Sequence, residues 1–224
     1  MKKLSFIYVI AMAVSAPAFA DGSLNIYNWS DYIGEDTIAN FEAETGIDVT
    51  YDMYDSNEVL DAKMMAGSSG YDLVVPTADF LVRGREAGVY QDLDLSRLEN
   101  AGNQDPQIQS LANQTLNSES AGLVYLWGTT GIAYNEKMIA DRLGEDAPTD
   151  SWSLILDPKY ASKLEDCGIA VLDAPTDVLP NVIAYLGKDG TSENKADFEA
   201  AGKVLNAIQP HLRYIHSSQS INDM

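Results

Sequence analysis

The chain has 224 residues, with 14 basic and 34 acidic side chains, a formal net charge of −20 at pH 7 and one cysteine. An acidic surface of this kind repels nucleic acid and anionic lipid headgroups and concentrates cations, although it also serves solubility and by itself identifies no ligand. No His-x-x-x-His or paired-cysteine spacing offers a metal site, and no cofactor motif stands out.

Residues 1–20 read as a secretory leader. Lys2 and Lys3 form the positive start, 4–14 is apolar apart from Ser5, and Ala18-Phe19-Ala20 is a small-x-small cleavage site. The remainder, from Asp21, holds 12 basic against 34 acidic residues. No later stretch approaches 18 apolar residues, so an exported soluble protein without a transmembrane anchor is expected. Cys167 is then a free thiol, a cysteine short of its partner, or simply a small buried residue.

Ser23 to Ile26 alternate polar and apolar as a strand does, and Trp29-Ser30-Asp31-Tyr32 follows. Acids at Glu35 and Asp36 introduce a helix over 37–45, stopped by Gly46. Ile47, Val49 and Tyr51 alternate as a second strand, and Ser56-Asn57-Glu58 opens a second helix. The third strand, 71–75, is an unbroken apolar run ended by Pro76, which predicts a parallel strand covered on both faces. A short helix is expected over 79–87. Residues 101–119 are rich in Asn and Gln and read as a surface connection, and 123–135 as a long strand bent at Gly128 and Gly131. Helices are expected at 136–143, 151–156, 176–186 and 195–208, with strands at 170–172 and 212–215. The β-α-β-α-β opening makes the class α/β, with a first lobe at 21–124 and a second at 125–224.

Trp29, Asp31 and Tyr32 form the sharpest cluster. A desolvated ammonium is compensated by a carboxylate and by aromatic faces, about 0.5–2 kcal/mol for the cation–π contact and about 1.5–3 for the charged hydrogen bond. Composition alone favours a plainer account, with Trp29 in the core and Asp31 at a helix start. Leu172-Asp173-Ala174-Pro175-Thr176-Asp177 is a second strand-loop-helix junction, where Thr176 capping a helix with Asp177 in its first turn is the favoured account of the residues by themselves. Val75-Pro76-Thr77-Ala78-Asp79-Phe80 has the same form, with Thr77 or Asp79 as the cap. His211 and His216 lie near Ser217 and Ser218 without a nucleophile elbow, so an exported hydrolase is the weaker alternative.

Six motifs in order, Asn25-Ile26-Tyr27-Asn28-Trp29-Ser30-Asp31-Tyr32-Ile33, the Phe41 to Gly46 stretch, Asp55-Ser56-Asn57-Glu58, Tyr71-Asp72-Leu73-Val74-Val75-Pro76, Trp127-Gly128-Thr129-Thr130-Gly131-Ile132 and His216-Ser217-Ser218-Gln219, resemble the periplasmic spermidine/putrescine-binding proteins of bacterial polyamine ABC importers, the putrescine-binding branch above all. The resemblance implies a two-lobed type II periplasmic-binding-protein fold with mixed sheets, acting as a monomer that closes on a linear polyamine and delivers it to a membrane permease. It assigns Trp29, Ser30, Asp31, Tyr32, Thr77, Asp177 and Ser218 to the ligand, and Asp79, Phe80 and Ala174 to the cleft. Thr77 stands where the family has serine, Asp177 where it has glutamate, and Asp79 where it has serine or tyrosine. Family members extend beyond the point matching Met224 and pair the cysteine matching Cys167 with one just past it. A C-terminally truncated chain with an incomplete second lobe is therefore expected, and a fragment that binds little is a further alternative.

Overall fold

Parallel pairing around one central strand builds the first part of the protein. The computed structural model describes residues 22–219 and 223, and the expected leader at 1–20 lies outside them. Strand β1 (Gly22–Trp29) is followed by α1 (Thr37–Thr45), which ends on Gly46 at φ 71°, a left-handed conformation open to glycine without a Cβ penalty. Strand β2 (Ile47–Tyr54) pairs with β1 in parallel from Gly22↔Ile47 to Trp29↔Tyr54. Helix α2 (Asn57–Met65) is capped by Ser56, whose Oγ accepts from the Val59 amide at 3.3 Å. Strand β3 (Leu73–Val74) adds to the other side of β1, giving the order β2-β1-β3. The expected β-α-β-α-β run is present. Tyr27, Tyr54, Leu60 and Met64 are buried beneath it.

Beyond β3 the chain runs through α3 (Ala78–Glu86), α4 (Pro106–Leu116) and α5 (Glu136–Leu143), then α6 (Ser153–Leu156) and α7 (Pro158–Leu164). Strand β4 (Ile169–Val171), α8 (Pro175–Tyr185), α9 (Lys195–Ile208) and β5 (Leu212–Ile215) complete the order. β4 and β5 form a separate parallel pair. A second core of Leu154, Ala161, Leu164, Val182, Ile183, Ala201 and Ile208 lies among these helices. Cys167 packs against that core as a free thiol, and burial pushes its pKa up. Among the described residues no helix is long and apolar enough to cross a membrane.

The structure corrects several expectations. All pairings among the described residues are parallel, where mixed sheets were expected. Leu73 is 48% exposed because β3 is a sheet edge of two residues, so its strand is not covered on both faces. Residues 106–116 are a helix rather than a connection. Asp105 accepts from the Gln107 and Ile108 amides, Pro106 is pre-set for the first turn, Asn117 closes the end at φ 45°, and Leu116 supplies the buried contact. The same Asp-Pro start builds α7 after Asp157, where no helix was foreseen. Residues 123–135 form no strand, since no neighbouring strand pairs with them among the described residues, and Tyr125, Leu126 and Trp127 are exposed.

Candidate functional site

The carboxyl ends of β1, β2 and β3 open on one side of a cleft, and the β4–α8 turn and the end of β5 open on the other. Ligand crevices in α/β folds form at such strand ends. The cleft encloses about 2160 Å³, and its lining includes Trp29, Ser30, Tyr32, Thr77, Ala174, Asp177 and Ser218. Seven of the ten residues singled out from the sequence thus share one cavity, although they come from four separate junctions.

Trp29, the last residue of β1, is fixed from both sides. Its Nε1 donates to the Val75 carbonyl at 2.8 Å, and its ring lies 4.7 Å from that of Tyr54 and 5.9 Å from that of Tyr32. The Tyr54 hydroxyl donates to the same Val75 carbonyl. The Ser30 amide continues the β1–β2 ladder onto the Tyr54 carbonyl at 2.9 Å. Asp31 sits in a left-handed turn at φ 60°, exposed and outside the cavity lining. It also lies six residues before the first residue of α1, whose first turn holds no acid, so the helix-start account of Asp31 does not hold. The Tyr32 carbonyl accepts a hydrogen bond from the Tyr125 hydroxyl.

Thr77 precedes α3 without capping it. Its amide donates to Asn57 Oδ1 at 3.1 Å, and its hydroxyl donates to Asp79 Oδ1. Asp79 is exposed outside the lining, and Phe80, expected at the cleft, is instead a core residue at 7% exposure because its large apolar ring turns inward from α3. Thr176 does not cap α8 either, since α8 starts at Pro175 and Ala174 occupies the cap position. The Thr176 hydroxyl reaches Glu58 Oε1 on α2 at 3.4 Å instead. Asp177 is half-buried, and burial first, then the charges of Glu58 and Asp79, hold its carboxyl above the usual carboxylate range. Glu58 Oε2 is enclosed without a hydrogen-bond partner among the described residues.

The end of β5 supplies Ser218, whose hydroxyl donates to Asp55 Oδ2 at 3.3 Å and whose amide donates to His216 Nδ1 at 3.1 Å. The carboxylate meets the serine and not the imidazole, which is not the order of a Ser-His-Asp relay. One arginine, Arg213, also lines the cavity and lies over Gly168. Among the described residues no three His, Cys, Asp or Glu side chains are grouped to hold a metal. Sequence reasoning placed neither Asp55 nor Glu58 in the site, reading Glu58 only as part of a helix start. Their signal was present, because Asp55 follows the end of β2 as Ser30 follows the end of β1.

The family model for bacterial extracellular solute-binding proteins matches residues 36–224. The chain belongs to this family. The chain is 49% identical over 217 residues to the putrescine-binding periplasmic protein PotF of Escherichia coli (strain K12), covering 96% of the chain and 59% of the relative. It is 43% identical to the putrescine-binding periplasmic protein SpuD of Pseudomonas aeruginosa (strain UCBPP-PA14), covering 96% and 58%. Among solved structures it resembles a putative spermidine/putrescine ABC transporter from Listeria monocytogenes with a TM-score of 0.77 and 30% identity, covering 89% of the chain and 59% of that structure. Its fold is that of the type II periplasmic binding proteins. The chain spans about 59% of the length of these relatives.

Proposed function

We propose that this protein captures a linear polyamine, putrescine foremost, in the periplasm and delivers it to the membrane permease of an ABC importer. The observation that carries this reading is Asp177. It is a half-buried carboxylate with no salt bridge among the described residues, across a cleft from the stacked Trp29 and Tyr32 rings. A carboxylate raised by burial gains from an ammonium, and an aromatic wall accepts either an ammonium or the methylenes between two of them. The names of the relatives point to the same chemistry.

In the proposed arrangement the first lobe, 21–124, presents Trp29, Ser30, Asp31, Tyr32 and Thr77, and the second, 125–224, presents Asp177 and Ser218. A diamine joins the two, and closure over it signals the permease. Nothing in this role calls for a reaction, so the protein is a carrier and not an enzyme. Isothermal titration with putrescine, spermidine and a sugar tests it. Saturable amine binding with no sugar binding is expected; sugar binding without amine binding overturns it, and silence toward all three favours a chain that does not bind by itself.

A further inference from the structure

We propose that Asp55 is a further amine-binding carboxylate of the cleft, placed to take an ammonium between the strand ends of the first lobe and Ser218. The proposal rests on the reading of the cleft as a polyamine site. It starts from register. Trp29 pairs with Tyr54, and the Ser30 amide holds the Tyr54 carbonyl at 2.9 Å, so the backbone is fixed up to the residue that carries this carboxylate. Asp55 therefore stands beside Ser30 at the edge of the Trp29–Tyr54 ring pair, and it lines the cavity.

Its partners leave it under-compensated. Asp55 is half-buried, its one side-chain hydrogen bond among the described residues is the 3.3 Å contact from the Ser218 hydroxyl, and no lysine or arginine lies within ion-pair distance of it there. A long bond from a neutral hydroxyl compensates a partly desolvated carboxylate weakly, whereas an ammonium forms the stronger charge-assisted bond. Asp31 faces solvent outside the lining, and Asp72, the other first-lobe acid in the lining, accepts from the Asn25 backbone amide at 2.9 Å, so Asp55 is the lining carboxylate that follows the Trp29–Tyr54 pair. Asp177 answers it from the second lobe, where the other lining acid, Asp223, accepts from the Tyr214 hydroxyl at 2.6 Å, and a diamine then joins Asp55 to Asp177.

Titration calorimetry with putrescine tests the assignment on wild type, Asp55→Asn, Asp55→Glu, Ser218→Ala and the Asp55→Asn/Ser218→Ala pair. Asp55→Asn is expected to bind about 10- to 100-fold more weakly, in the Ser218→Ala background as well, with Asp55→Glu recovering part of the loss. If Asp55 only tethers Ser218, Ser218→Ala reproduces the full loss and Asp55→Asn adds nothing to it, which overturns the proposal. Wild-type binding with an unaffected Asp55→Asn overturns this proposal alone; a wild type that binds no amine overturns the polyamine reading and this proposal together. The Glu variant keeps the charge, so it decides the question even where the Asn variant unfolds.

Discussion

Trp29 and Tyr54 converge on a single acceptor, the carbonyl oxygen of Val75. Two neighbouring strands thereby hold the chain just ahead of Thr77 and fix the orientation of the indole. Burial raises the Tyr54 hydroxyl far above the ordinary tyrosine value, so it remains a donor throughout the working range of pH. Tyr54→Phe removes one of the two donors and leaves the carbonyl paired with Trp29, so no buried group is orphaned. The expected loss is about 1 kcal/mol, read as a lower urea midpoint with an unchanged slope.

Asp177→Asn is expected to separate stability from binding. The native carboxyl is raised, so over the window from the unfolded carboxylate value up through the native one the folded state binds more protons than the unfolded state. Stability of the empty protein therefore falls as pH rises through that window and is level above it. Asp177→Asn flattens this profile and melts higher than wild type at neutral pH, while putrescine affinity drops about 10- to 100-fold. Wild-type affinity rises with pH over the same window, because the amine needs the ionised form. Thermal melts and titrations across a pH series measure both.

Asp31 stands at φ 60°, a conformation that asparagine also tolerates. Asp31→Asn is therefore expected to leave the melting temperature of the empty protein unchanged. If the carboxylate serves the ligand, the upward shift of that temperature by putrescine shrinks in the variant.

Gly84→Ala tests the packing of α3. A Cβ built at Gly84 falls 2.1 Å from Tyr90 Cε2, and Tyr90 packs against the first core. The ring has to leave its place, and a loss of about 1–3 kcal/mol is expected from denaturant unfolding.

The elements most legible in the sequence are those where local chemistry and tertiary packing agree. Ser56 before α2, Gly46 after α1 and the alternation of β2 each name their own structure. Helix α4 was hidden because its Asn and Gln side chains obscure the apolar stripe, although Asp105-Pro106 and Asn117 mark both of its ends. The run from 123 to 135 misled in the opposite sense, since strand-like composition does not provide a strand to pair with. In the site, the junction residues stood out because aromatic and acidic side chains are unusual at strand ends. The Asp55–Ser218 and Thr176–Glu58 contacts join residues 163 and 118 positions apart, a relationship that no local pattern encodes.

The stacked Trp29 and Tyr32 rings carry one more consequence. The indole is wedged between two phenols with its N–H tied to Val75, so its excited state senses little besides what enters the cleft. A cation settling on that stack alters the local field at the chromophore, while Trp152, packed against the second core outside the cavity lining, emits as a steady background. The protein thus carries a built-in optical gauge of its own occupancy, readable without any attached dye.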